Sequence, residues 1–200
     1  MFNPNKIVLT IAGREKFIMT VAVIYGGNRP KGNTELLTDR VIKGVKAEKI
    51  YLGNFHIDPI IDMRHEESGF QDRKDDYYSV IDRILPHDII LFATPIYWYS
   101  MTGIMKNFVD SWSQMLRDSN YPDFKGIMSA KKAYVIAVGG DAPDIKGLPM
   151  IQQFQYIFDF VGTEFAGYIL GTGNKPGDIL TDKKAIHAAN ELNKQLLALR

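Results

Sequence analysis

The sequence predicts an α/β protein built as a three-layer, doubly wound parallel sheet of five strands in the order 2-1-3-4-5. Three observations carry that expectation. Apolar runs such as VAVIY from Val21 and IILFAT from Ile89 are free of charge and rich in β-branched residues, as strands buried on both faces are. Between the runs lie stretches with apolar residues three or four apart, so the order reads β-α-β-α-β-α-β-α-β. Strand ends meet glycine or proline, at Gly26–Gly27, Pro95 and Gly139–Gly140.

The elements follow in order. After VAVIY and the loop GGNRPKGN, a helix begins near Thr34, with Leu37, Val41 and Val45 on one face. EKIYLG from Glu48 is the second strand. Asp76 to Leu85 has helical spacing through Val80, Ile81, Ile84 and Leu85, and Pro86 stops it. The third strand, DIILFAT, runs into TPIYWYSM, a proline turn with three consecutive aromatics. Thr102 to Leu116 is helical, with Ile104, Phe108 and Trp112 four apart. Ala133 to Val138 is the fourth strand and Glu164 to Leu170 the fifth. Between them a helix from about Pro149, acceptable in a first turn, turns Phe154, Ile157, Phe158 and Val161 inward. Asp182 caps a final helix striped by Ile186, Ala189, Leu192, Asn193, Leu196 and Leu197.

Composition narrows the functions. The 200 residues are 46% hydrophobic, enough for one ordinary domain with a sizeable core. A net charge of +1 offers no basic field for nucleic acid or anionic membrane. The absence of cysteine removes disulfides, thiolate metal sites, iron–sulfur ligation and cysteine nucleophiles, and is compatible with the cytoplasmic location expected. No apolar run approaches the roughly 20 residues that span a bilayer. Residues 1–18 read as an N-terminal extension or a peripheral strand: Ile7 to Ala12 is too short for a signal sequence, and Arg14, Glu15 and Lys16 follow at once. The domain proper is expected over 19–200. Asn54 to Asp76 is a polar excursion carrying His56, Asp58, Asp62, His65, Glu66 and Glu67. Its spacing matches no standard ligand motif, so no metal is assigned.

In a sheet of this order, ligands sit beyond the C-terminal strand ends, where strand order reverses between strands one and three. The glycine loop after Tyr25 and the aromatic turn after Thr94 meet there. The first loop presents backbone N–H groups at a helix start, beside Arg29 and Lys31, and so suits an anion. Gly27 to Thr34 nearly fits the P-loop pattern, but Asn33 stands where the phosphate-binding lysine belongs, which argues against nucleoside triphosphates. Gly26, Gly27 and Gly32 lack dinucleotide spacing. A single phosphate monoester remains, with Asn33 and Thr34 side chains expected to cap the helix and reach its oxygens. A monophosphate beside aromatics suggests flavin mononucleotide (FMN), its ring against Pro95 to Trp98 and the main chain of Ile96, Tyr97 and Trp98 at the pyrimidine edge. The turn Gly139, Gly140, Asp141 would close the other side, its glycines allowing close backbone approach.

The pair YGGNRPKGNT and ATPIYWYSMTGIMKNFVDSW resembles the flavodoxin-like NAD(P)H-dependent FMN reductases, which include quinone reductase relatives. That family shows GSPRxxGNT and SPIYxxSMSAxLKxFIDR. The resemblance runs from about Met19 onward and implies phosphate contacts from Gly27, Asn28, Arg29, Gly32, Asn33 and Thr34. It implies ring contacts from Pro95, Ile96, Tyr97, Trp98 and Met101, and a homodimer or homotetramer. Gly27 replaces the family's serine, Ser111 its arginine, and the cysteines of the iron–sulfur branch are missing. The function implied is hydride transfer from NAD(P)H through flavin to a quinone, free flavin or similar small acceptor. The flavin carries the chemistry, so no catalytic side chain is named. His65, His87 and Tyr99 are candidates for proton delivery to a quinone, though each such residue is more often a surface or packing group. The alternative is a flavodoxin-type electron carrier, a class usually strongly acidic, unlike this chain at +1.

Overall fold

Strand β3 (Val21–Tyr25) lies second in the sheet because its side chains are wanted on both faces. Val21, Val23 and Tyr25 enter one apolar cluster and Ile24 the other, the two-residue alternation of a strand covered on both sides. The computed structural model describes residues 8–11, 14–17 and 19–199. Its main sheet has the order β4-β3-β5-β6-β7, from β4 (Ala47–Tyr51), β5 (Ile89–Pro95), β6 (Lys132–Gly139) and β7 (Glu164–Thr172). Every pairing is parallel, so counting these five strands in chain order gives 2-1-3-4-5 as expected.

Two helices cover one face: α1 (Asn33–Val41) and α8 (Lys183–Ala198), which pack Leu37, Val41, Ala189 and Leu192 on Val23, Leu91 and Ile136. The other face carries α2 (Tyr77–Ile84), α3 (Gly103–Asp110), α4 (Trp112–Met115), α5 (Phe124–Ser129), a single turn α6 (Pro143–Lys146) and α7 (Leu148–Val161). Its core is aromatic: Phe92 on β5 meets Phe154 and Phe158 of α7 at 5.6 and 5.0 Å between centroids, and Trp112 at 6.3 Å. Such tilted and edge-on pairs suit the ring quadrupole.

Some elements differ from expectation. The single helix read from Thr102 to Leu116 is two, because the backbone breaks at Ser111, whose hydroxyl donates back to the Asn107 carbonyl at 3.0 Å. The α5 and α6 turns were not expected; each is too short to develop an apolar period. Val45 lies past the end of α1 in a turn. Asp182 does cap α8, its carboxylate accepting from the Ala185 N–H at 3.0 Å.

Of the expected extension, residues 1–7, 12–13 and 18 lie outside the described residues. Strands β1 (Val8–Ile11) and β2 (Arg14–Phe17) pair antiparallel as a two-stranded sheet separate from the five. The polar segment 55–76 has no regular structure and is tied down locally. The Asp76 and Asp75 carboxylates accept from the His56 and Asp58 N–H groups at 2.8 Å, and a buried Arg73–Asp75 ion pair lies beneath. Among the described residues no group of three or more His, Asp or Glu side chains converges as a metal site.

Candidate functional site

A cavity of about 640 Å³ opens at the C-terminal ends of the strands, across the reversal between β3 and β5. That size is typical of small-ligand pockets. Its walls come from five loops that the parallel topology gathers at one end of the sheet, after β3, β4, β5, β6 and β7.

One end of the cavity is built by the loop after β3. Gly32 is the N-cap of α1, and among the described residues no side chain caps the helix. The first backbone bond of the helix runs from the Leu36 N–H to the Gly32 carbonyl at 3.0 Å, so the N–H groups of Asn33, Thr34 and Glu35 precede the ladder and face outward. With the positive end of the helix dipole behind them, these donors form an anion site. Arg29 is exposed beside them, with no carboxylate partner among the described residues. Glu35 reaches back to the Lys31 N–H at 2.5 Å and takes the Tyr51 hydroxyl at 3.0 Å. The return resembles a capping box and holds Lys31 in its left-handed conformation, φ +54°.

The other end is apolar, made by Pro95, Ile96, Tyr97 and Val138 with the Gly139–Gly140 backbone. Tyr25 and Tyr51, neighbours across the β3–β4 pairing, stack at 4.5 Å along one wall. Burial, then the nearby Asp39 carboxylate, pushes the Tyr25 hydroxyl far above the usual phenol range. Burial and Glu35 push Tyr51 up to about 12. Both therefore stay protonated and act as donors, Tyr25 to Asp39 at 3.2 Å and Tyr51 to Glu35.

Gly27, Asn28, Arg29, Gly32, Asn33, Thr34, Pro95, Ile96, Tyr97, Gly139 and Gly140 all line this cavity. Trp98, Met101 and Asp141 do not. Trp98 and Tyr99 are the two middle residues of a tight turn, φ +51° and +63°, closed by mutual backbone hydrogen bonds between Tyr97 and Ser100. That turn throws Trp98 outward, 95% exposed. Met101 is buried in the core on the α3 side. Asp141 is engaged by Lys146 at 2.7 Å and the Tyr99 hydroxyl at 2.9 Å, beside a smaller cavity that shares Ile96, Gly139 and Gly140 with the first. Asn33 lines the cavity but does not cap α1; its amide is turned toward the loop after β7.

The sequence reading missed Tyr25, Pro30, Glu35, Tyr51, Gly53, Asn54, Ala93, Val138, Gly173 and Asn174 in this lining. A signal existed for the last two in the run GTGN after the fifth strand. Thr102 was also missed. Its buried hydroxyl donates to the Gly26 carbonyl at 2.7 Å and accepts from the Met105 N–H, while its own N–H donates to the Thr94 hydroxyl. One residue so ties the loop after β3 to the end of β5. Of the titratable groups considered, His65 is exposed outside the cavity and His87 lies at the opposite, N-terminal end of β5. Tyr99 borders only the smaller cavity.

The NADPH-dependent FMN reductase family model matches residues 19–149, which span the first four sheet strands and the loops that follow them. The chain belongs to that family. It is 56% identical over 177 residues to YwqN, an NAD(P)H-dependent FMN-containing oxidoreductase of Bacillus subtilis, covering 88% of this chain and 98% of the relative. An FMN-dependent NADH:quinone oxidoreductase of Thiobacillus denitrificans is 25% identical over 60% of this chain and 61% of its own. The solved structure of Trp repressor binding protein from Bacillus subtilis superposes with a TM-score of 0.74 at 51% identity, covering 86% of this chain and 96% of that one. As a member of the family, this chain is an FMN-dependent oxidoreductase with NAD(P)H as electron donor. Among the described residues no helix is long and apolar enough to cross a membrane.

Proposed function

We propose that the cavity over β3 and β5 holds FMN and that the enzyme reduces a quinone, free flavin or similar small planar acceptor. The observation that carries the reading is one cavity joining an uncapped helix N-terminus at one end to an apolar, glycine-backed wall at the other. A group with one phosphate and a flat ring fits both ends. Arg29 and the N–H groups at the start of α1 would hold the phosphate, with Gly27 and Asn28 as backbone neighbours. Pro95, Ile96 and Tyr97 would flank the ring, and the Gly139–Gly140 backbone would approach it from the far side.

Bound FMN supplies hydride acceptance from nicotinamide and hydride delivery to the acceptor. The protein's part is position and electrostatics. The apolar wall keeps water from the ring end, and the protonated Tyr25–Tyr51 stack keeps the Glu35 and Asp39 carboxylates engaged near the phosphate end. Among the described residues no side chain lining the cavity is a histidine, and its one carboxylate, Glu35, is engaged by the Lys31 N–H and the Tyr51 hydroxyl, so the reading assigns no protein acid or base. The reading extends to a cytoplasmic location, supported by a cysteine-free chain. It also extends to a homodimer or homotetramer, supported by the exposed Tyr156 and Phe160 beside an apolar groove between α4 and α7.

Purified protein with flavin absorbance that bleaches anaerobically with NADH or NADPH, and recovers catalytically with a quinone or free flavin, supports the proposal. Slow bleaching without turnover would mark a carrier instead. Colourless protein that fails to take up added FMN would overturn it.

A further inference from the structure

We propose that Asn33 is a positioning residue: it latches the loop after β7 against the cavity and does not itself grip the phosphate. The inference rests on the reading of the cavity as the FMN site. The amide of Asn33 uses three of its four hydrogen-bonding positions on that loop. Its Nδ2 donates to the Lys175 carbonyl at 2.9 Å, and its Oδ1 accepts from the Gly177 N–H at 2.8 Å and, at a longer 3.5 Å, from the Ile179 N–H. Oδ1 meets only N–H groups and Nδ2 meets a carbonyl, so the amide's orientation is fixed by its partners.

The latched loop is part of the site. Gly173 and Asn174 line the cavity. The Gly173 N–H donates to the Gly139 carbonyl at 2.9 Å, which joins the loop to the turn after β6. Asp178 stiffens it further, its carboxylate accepting from the Asn174 and Lys175 N–H groups at 3.1 and 2.7 Å. The fit against Asn33 is close: a Cβ on residue 173 would lie 2.8 Å from Nδ2, so only glycine admits the latch. Asn33 therefore joins the first and last loops of the site, more than 140 residues apart along the chain. Without it, the loop is left with the Gly173–Gly139 bond and its internal Asp178 bonds, so Gly173 and Asn174 are held less firmly and the whole cofactor is held less well, phosphate or not.

That last point separates a latch from a phosphate contact. Riboflavin lacks the phosphate, so a phosphate contact affects FMN alone. Asn33→Ala is expected to weaken FMN and riboflavin by the same factor, about five- to tenfold for the two short hydrogen bonds lost. Arg29→Ala is expected to weaken FMN and leave riboflavin unchanged. In flavin-free protein, amide hydrogen exchange over residues 173–179 is expected to accelerate in Asn33→Ala. It should be intermediate in Asn33→Asp, which keeps the acceptor for Gly177 but loses the donor to Lys175. Loss of the FMN-over-riboflavin preference in Asn33→Ala, with exchange over 173–179 as in wild type, would overturn the latch. So would an Asn33→Asp loop exchanging as fast as that of the alanine variant. If wild-type protein takes up neither flavin, the FMN reading falls, and the exchange comparison still decides for or against the latch.

Discussion

Replacing Thr102 by valine removes one hydroxyl and keeps the shape, and the structure sets the cost. Thr102 is 2% exposed, so water cannot replace what the hydroxyl does. As N-cap of α3 it accepts from the Met105 N–H at 3.3 Å, and it donates to the Gly26 carbonyl at 2.7 Å. Loss of the cap costs about 1 kcal/mol, and stranding the Gly26 carbonyl adds about 1–3 kcal/mol, for a total of about 2–4 kcal/mol. Urea unfolding of flavin-free protein measures it, as a lower midpoint at unchanged m-value. Thr102→Ser keeps both hydrogen bonds and should lose only what the methyl contributes, about 1 kcal/mol. The reasoning fails if the valine variant lies within about 0.5 kcal/mol of wild type, the range of an uninvolved surface change. It also fails if serine destabilises as much as valine. Gly26 opens the phosphate loop, so the valine variant should in addition bind FMN more weakly than the serine variant in a fluorescence titration.

Other outcomes follow from the same geometry. Trp98→Ala should leave FMN affinity unchanged, because the side chain stands outside the cavity, and Trp98→Gly should be more stable than Trp98→Ala by about 1 kcal/mol because φ is positive there. Denaturant melts of the two variants check it. Phe158→Ala should cost about 3–5 kcal/mol, since the ring is fully buried and packs on Phe92, Phe154 and Phe165. Calorimetry reads that loss as a lower Tm. Burial lowers the His87 imidazole below its ordinary 6.5, Lys131 assisting and Glu48 and Asp88 opposing. As pH falls through 6.5 the unfolded chain therefore takes the proton first, so stability drops until the folded imidazole also titrates. His87→Gln should flatten the fall in Tm on acidification through this window; an equal fall in both proteins would reject the account.

Much of the fold was legible because its strands are buried on both faces. A central parallel strand needs an unbroken apolar run, and IILFAT from Ile89 has no other reading between its flanking turns. The long helices were legible for the complementary reason, one apolar stripe at helical spacing, as in α7 and α8. The short turns α5 and α6 and the break at Ser111 carry too few residues for a period to show. At the site, loops with glycine and proline beside strand ends drew attention to Gly27 to Thr34, of which all but Lys31 line the cavity, and to Pro95 to Tyr97 and Gly139–Gly140, which line it too, whereas Trp98, Met101 and Asp141 do not. Residues whose signal was only a strand end, such as Tyr25 and Tyr51, could not be recognised until the β3–β4 register stacked them.

The chain by itself determined the α/β class, the strand order and the two loops that meet at the reversal. These depend on local chemistry: hydrophobic runs, periodicity, and residues that break strands and helices. Only the tertiary structure decided where individual side chains point. Trp98 sits in a cofactor-like motif, yet two left-handed residues turn it to solvent. Asn33 occupies a cap-like position, yet its partners lie on a loop that follows the last strand and come within reach only when the sheet is complete. Backbone N–H groups at the start of α1 are implied by any helix. That no side chain among the described residues claims them is a fact of packing, and it is this fact that leaves the N-terminus open to an anion.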